Sequence, residues 1–269
     1  MKKILVETDF SNASKTASIY AAELAKVSGA KIILHNSYVS KEDQVPELLE
    51  HEKIKNKQQL EIEANFLRKL NGIEVDTLIT EDDSIKEILA IEVKDNIDLV
   101  IVGINKTEAL TKYIFGSVIT DLIAKTQVPV IVIPEESTFK RIERIVFAID
   151  FNLETELEMH EAIKDLLQLF SPKIFVLNVV KENSKIRPDR KISEYNIEKY
   201  FDNEKHIYSF IQDNDLIHGL NEFILVNKID IITILPHKHN LFENMFFESK
   251  TKEMAFNTTI PLIIFPMRN

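Results

Sequence analysis

One pattern of segments occurs twice in the same order, and this repetition constrains the fold more than any other feature of the sequence. Lys3-Ile4-Leu5-Val6-Glu7-Thr8-Asp9-Phe10 matches Arg144-Ile145-Val146-Phe147-Ala148-Ile149-Asp150-Phe151, each a basic residue, an apolar run and then Asp-Phe. Further on, Ile97-Asp98-Leu99-Val100 matches Ile229-Asp230-Ile231-Ile232, and Val128-Pro129-Val130-Ile131-Val132-Ile133-Pro134 matches Ile260-Pro261-Leu262-Ile263-Ile264-Phe265-Pro266. The offset falls from 141 at the first match to 132 at the last, so the second copy is shorter in its middle. A conserved order with a drifting offset is the mark of a tandem repeat. The boundary lies near Pro134 to Lys140, which predicts domains at 1–138 and 139–269.

Within each copy, short apolar runs alternate with amphipathic stretches, the pattern of strands joined by crossover helices in a parallel sheet. The first copy reads as strands at 2–8, 31–36, 73–79, 97–102 and 128–133, with helices at 12–28, 45–70, 84–95 and 115–126. The second reads as strands at 143–149, 173–179, 206–212, 230–235 and 260–265, with helices at 153–169, 192–204, 215–228 and 243–256. Ser11 caps the first helix and Gly29 closes it. The predicted fold class is therefore α/β, two tandem doubly wound five-stranded parallel-sheet domains. Ligands of such sheets bind beyond the carboxyl ends of the strands, which directs attention to Thr8–Ser11, His35–Ser37, Thr80–Asp83 and the residues from Gly103 onward.

Composition then removes classes of function. The 269 residues hold no cysteine and five glycines, at 29, 72, 103, 116 and 219. Disulfide frameworks and cysteine chemistry are excluded, and neither G-x-G-x-x-G nor G-x-x-x-x-G-K-[ST] can be written. A net charge of −10 disfavours a nucleic-acid or anionic-membrane surface. The apolar start of the chain is cut by Glu7 and Asp9 before a signal segment forms, so a cytoplasmic protein is expected.

The strongest site signal follows the fourth strand. Gly103-Ile104-Asn105-Lys106 is separated by nine residues from Gly116-Ser117-Val118, which open a helical pattern. A glycine after a buried strand permits close backbone approach, and amide N–H groups with a hydroxyl at a helix start suit a phosphate. Here the sequence resembles the universal stress protein family, whose ATP-binding members carry Gly-x2-Gly-x9-Gly-[Ser/Thr] after the fourth strand, and the resemblance extends over both copies. It implies an adenine-nucleotide α-hydrolase-like fold with ATP as ligand. By the same resemblance Thr8 and Asp9 face the adenosine moiety, Asn36 borders the adenine through its backbone, and Gly103, Gly116, Ser117 and Val118 hold ribose and phosphates. Two residues depart from the pattern. Lys106 replaces the second glycine, supplying an ammonium or closing the loop, and Glu7 stands where relatives have a small residue or proline. A carboxylate facing a polyphosphate needs a divalent cation between them, so magnesium accompanies ATP if Glu7 points inward and is not required if it points away.

The second copy places Leu235 at Gly103 and Glu248-Ser249 at Gly116-Ser117, and it retains Asp150. Negative charge at the phosphate position predicts no ATP there. His237-Lys238-His239 lacks a ligand frame, and no metal site is expected. Three readings remain: a stress-response regulatory module binding ATP or a related adenine nucleotide in 1–138, a nucleotide-independent interaction scaffold, and, fitting least, an enzyme hydrolysing ATP slowly. Partners under these readings are an adenine nucleotide and a further homodimer, with no nucleic acid and no membrane, and the resemblance to dimers of the family implies that the final strands Val128–Ile133 and Ile260–Phe265 meet within the chain as an internal pseudo-dimer.

Overall fold

The computed structural model describes residues 1–38, 46–81, 84–105, 122, 125–148, 161–180, 201, 205–234 and 260–266. The elements run β1 (Lys3–Glu7), α1 (Asn12–Ser28), β2 (Lys31–Tyr38), α2 (Pro46–Asn71), β3 (Val75–Glu81), α3 (Ser84–Asp95), β4 (Leu99–Ile104) and β5 (Val130–Pro134). They continue as β6 (Arg144–Ala148), α4 (Glu161–Phe170), β7 (Lys173–Val180), β8 (His206–Gln212), α5 (Leu216–Asn227), β9 (Ile231–Ile234) and β10 (Leu262–Ile264). Each predicted strand is found, while the helices expected over 115–126, 192–204 and 243–256 fall largely outside the described residues.

The strands form one sheet in the order β3-β2-β1-β4-β5-β10-β9-β6-β7-β8. Neighbours within β1–β5 and within β6–β10 are parallel. The two sets join where β5 and β10 pair antiparallel, with Leu262 opposite Val132, Ile263 opposite Ile131 and Ile264 opposite Val130. In the first set β1 pairs with β2 on one side and β4 on the other, so the direction of winding reverses there. This is the crevice in which doubly wound sheets place ligands.

The burial pattern explains the order. All six residues of β4 and all five of β5 are buried, as expected of strands covered on both faces. The outermost strands β3 and β8 are mostly half-buried and form the two edges. On one face, Ile4, Val6, Ile32, Leu34, Leu99 and Ile101 pack under α1 and α2, and this layer continues through Ile131 and Ile263 to Ile145, Phe147 and α4. On the other face, Leu5, Ile33, Val100 and Val102 continue through Val130 and Leu262 to Val146, Leu177 and α5. Each large apolar side chain removed from water contributes about 1.5–3 kcal/mol, and both layers cross the β5–β10 seam without a polar break. Phe139 reinforces the seam, its ring centroid 5.0 Å from Tyr20 and 6.5 Å from Phe170.

A local device is repeated as well. Asp98 Oδ2 accepts from the backbone amides of Lys2 and Lys3 at 2.6 and 2.9 Å, and Asp230 Oδ2 accepts from those of Glu143 and Arg144 at 2.9 and 2.8 Å. One carboxylate thus ties the entry of each first strand to that of its neighbour. Asp98→Ala and Asp230→Ala are each expected to lower the unfolding free energy by about 1–3 kcal/mol, the scale for amides losing a charged acceptor. Urea denaturation reads this directly, and an unchanged midpoint in both variants contradicts the assignment. Among the described residues no helix is long and apolar enough to cross a membrane.

Candidate functional site

The carboxyl end of β1 runs into α1 through Thr8-Asp9-Phe10-Ser11. Ser11 caps the helix by accepting from Ser14 N at 3.2 Å, and Asp9 Oδ1 accepts from Ser11 N at 3.0 Å. Phe10 has φ 66°, a left-handed conformation uncommon for a residue with a side chain. The Thr8 hydroxyl holds it there by accepting from Phe10 N at 3.1 Å. Asp9 is exposed. What burial it has works against its charge, but hydrogen bonds from Ser11 and Ser14 outweigh this and hold the carboxyl below its ordinary value. Asp9 is therefore an ionised acceptor, oriented by the turn and open to a ligand.

Beneath the turn, on the α1–α2 face, the buried Thr8 hydroxyl lies 3.2 Å from both Ser14 Oγ and Glu63 Oε2, and Ser18 donates to Glu63 Oε1 at 2.6 Å. Burial pushes the Glu63 carboxyl up against these hydrogen bonds. On the next strand Asn36 is buried and its Nδ2 donates to the Thr8 carbonyl at 2.7 Å. Asn36 Oδ1 is buried with no hydrogen-bond partner. Among the predicted ligand residues, then, Thr8, Asp9 and Asn36 lie together at the winding reversal. The contact that Asn36 makes with this turn is through its side chain, where the expectation was for its backbone.

Gly103 is the remaining predicted residue within the described chain, and its surroundings give it a second purpose. A Cβ built there would lie 2.3 Å from the carbonyl oxygen of Ala13 and 2.7 Å from the amide nitrogen of Ser14. The first turn of α1 rests directly on the β4 backbone, and only glycine permits that distance. Lys106, Gly116, Ser117 and Val118 lie outside the described residues, as do Asp150, Leu235, His237, Lys238, His239, Glu248 and Ser249.

The Glu7 side chain is engaged by the neighbouring strand β2. It pairs closely with His35 Nδ1 and accepts from Ser37 Oγ at 3.3 Å. The other ring nitrogen of His35 lies 2.8 Å from Thr80 Oγ1. The His35 side chain is completely buried and that of Glu7 is 20% exposed. Burial raises the Glu7 carboxyl above its ordinary value, opposed by the hydrogen bond and charge of His35. Three adjacent strands contribute one group each to a continuous chain, Glu7 from β1, His35 from β2 and Thr80 from β3. Sequence reasoning named these strand ends without joining the three residues. The joining signal lies in the repeat, where the corresponding residues are Ala148, Leu177 and Ile211.

The model of the universal stress protein family matches residues 1–134. No curated protein sequence matches the chain. Among solved structures, a universal stress protein from Archaeoglobus fulgidus is 14% identical, with 98% of this chain and 96% of that one covered and a TM-score of 0.71. A functionally unknown protein from Pseudomonas aeruginosa is 13% identical, with 99% and 92% covered and a TM-score of 0.56. The universal stress protein from Archaeoglobus fulgidus in complex with dAMP is 21% identical over 49% of this chain and 97% of its own, with a TM-score of 0.39. The first two share this fold over nearly their whole length. Through residues 1–134, matched by the family model, the chain belongs to the universal stress protein family.

Proposed function

We propose that the protein is a cytoplasmic stress-response module of two tandem domains, 1–138 and 139–269, that binds ATP or a related adenine nucleotide in the first. The observation that carries this reading is Asn36 Oδ1, a buried acceptor without a partner at the winding reversal. Such an atom costs about 1–3 kcal/mol when left unmade, and the exocyclic amine of adenine supplies the missing donor. Asp9, ionised and exposed one strand away, accepts from a ribose hydroxyl. Gly103, Lys106, Gly116, Ser117 and Val118 complete the site around the phosphates in this proposal. Glu7 is already engaged by His35 and Ser37, so the repulsion that would have required magnesium is reduced. Magnesium then accompanies ATP as its ordinary counterion. The second domain, with Glu248 at the phosphate position, takes no nucleotide.

The test is to denature the purified protein, look for released adenine nucleotide by mass spectrometry, and titrate labelled ATP with magnesium. Gly116→Glu, which copies the second domain, is expected to abolish binding, and Asp9→Ala to weaken it about tenfold, the value of one charged hydrogen bond. A folded protein that binds nothing up to millimolar ATP sinks the proposal. That outcome leaves the second reading, an interaction scaffold, which one surface favours: Ile62, Phe66 and Leu70 form an exposed apolar stripe along α2, 69%, 51% and 49% accessible.

A further inference from the structure

We propose that Thr80, His35 and Glu7 form an acyl-transfer triad in which Thr80 is the nucleophile and small uncharged carboxylic esters are the substrates. The arrangement meets the geometric requirement for an activated hydroxyl: a nucleophile in hydrogen-bond reach of a base that is itself oriented by a third group. His35 Nε2 stands 2.8 Å from Thr80 Oγ1, while Nδ1 is held by the Glu7 carboxylate. In the tautomer that carries the ring proton on Nδ1, against the Glu7 carboxyl, the Nε2 lone pair faces the threonine hydroxyl. The base is completely buried, whereas Thr80 is half-buried on the edge strand β3, where a small molecule can reach it.

The repeat supplies an independent argument. The equivalent strands pair in the same register, Glu7 with His35 as Ala148 with Leu177, and Ser37 with Thr80 as Val179 with Ile211. All four polar positions of the first set are apolar in the second, where Ala148, Leu177, Val179 and Ile211 belong to or pack against the apolar layer. The fold is therefore built equally well without these polar groups. Burying them is favourable only while each keeps its partner, so packing gives no reason for the set to be present as a whole. A reactive hydroxyl does. Glu81, next to Thr80, and the net charge of −10 disfavour anionic substrates.

In the first step Thr80 Oγ bonds to the ester carbonyl carbon as its proton moves to His35 Nε2, and the imidazolium is stabilised by the Glu7 carboxylate. The tetrahedral adduct collapses, the carbon–oxygen bond to the alcohol breaks, and the alcohol leaves with the proton from His35. Water then attacks the acyl-threonine through the same base and releases the carboxylic acid, restoring Thr80. Thr80 and His35 are the catalytic residues, and Glu7 is a positioning residue.

The probe is para-nitrophenyl acetate, applied to the full chain without nucleotide. The expected result is a burst of nitrophenol and a single acetyl group on the peptide containing Thr80. Thr80→Val is expected to lower the rate about 100-fold, and Thr80→Ser to keep it. Glu7→Gln is expected to lower kcat with KM unchanged while leaving the fold intact by circular dichroism, and Glu7→Asp to restore part of the rate. Nitrophenol release by the wild type no faster than by Thr80→Val, or acetyl groups confined to lysines, overturns the proposal. Because ATP takes no part, this outcome is independent of the nucleotide titration.

Discussion

Gly103→Ala is expected to destabilise the protein by about 3 kcal/mol or more, and Gly103→Val to prevent recovery of soluble protein. One added methyl group is ordinarily a small change, but here it meets main chain. The ideal Cβ lies 2.3 Å from Ala13 O, 2.4 Å from Ala13 C and 2.7 Å from Ser14 N, none of which can turn aside as a flexible side chain would. Overpacking in a close-packed core commonly costs about 1–3 kcal/mol when side chains can rearrange. Here α1 must lift from the sheet, which also opens the contacts of the buried Ala17, Ala21 and Ala25 along its inner face. Two controls isolate the mechanism. Ala13→Gly should not rescue Gly103→Ala, because the obstructing atoms belong to the backbone. Gly29→Ala should lose only about 1 kcal/mol, since that residue has open space around it and is strained only through its φ of 71°. Equal midpoints for Gly103→Ala and Gly29→Ala in urea denaturation would refute the close approach of α1 to β4.

Gly103 also marks what sequence can and cannot separate. The repeat, the alternation of period and the capping residues Ser11 and Gly29 were legible because each depends on spacing along a local segment or on comparison of two segments. The pairing of Val130–Val132 with Leu262–Ile264 was expected from the resemblance to the family's dimers and not from spacing. A glycine at the end of a buried strand, by contrast, has one appearance for two jobs. It admits a ligand or it admits a helix, and the neighbour that decides, Ala13, stands ninety residues earlier in the chain. Glu7 presented two orientations for the same reason. Whether it faced the crevice or the sheet depended on His35 and Thr80, which reach it only through strand register. Position-by-position comparison of the copies carried that information: Glu7, His35, Ser37 and Thr80 against Ala148, Leu177, Val179 and Ile211. The four differences are scattered along the sequence and coincide only once the sheet is assembled.

The same comparison leads to the second large effect. His35→Leu alone is expected to lower stability by about 3 kcal/mol at neutral pH, yet the triple variant Glu7→Ala/His35→Leu/Thr80→Ile, which copies the second set of strands, should lie within about 1 kcal/mol of wild type. Removing the imidazole leaves the half-buried Glu7 carboxylate with only the Ser37 hydroxyl, and breaking a buried pair on one side typically costs about 3–5 kcal/mol. Removing these three polar groups leaves only the half-buried Ser37 hydroxyl of the network and installs the residues that stand at Ala148, Leu177 and Ile211 in the second set. Such non-additivity is what residues sharing one hydrogen-bond network show. The pH dependence separates this cause from a simple packing defect. In His35→Leu the folded-state pKa of Glu7 is raised by burial without the opposing hydrogen bond from His35, so the folded protein binds the proton more tightly than the unfolded chain. Its stability is therefore greatest at low pH and falls as pH rises from the ordinary glutamate value of 4.5 through the raised folded value. A deficit relative to the triple variant that widens from pH 4 to pH 8 is the expected result, whereas a constant deficit would mean that the leucine merely fits badly.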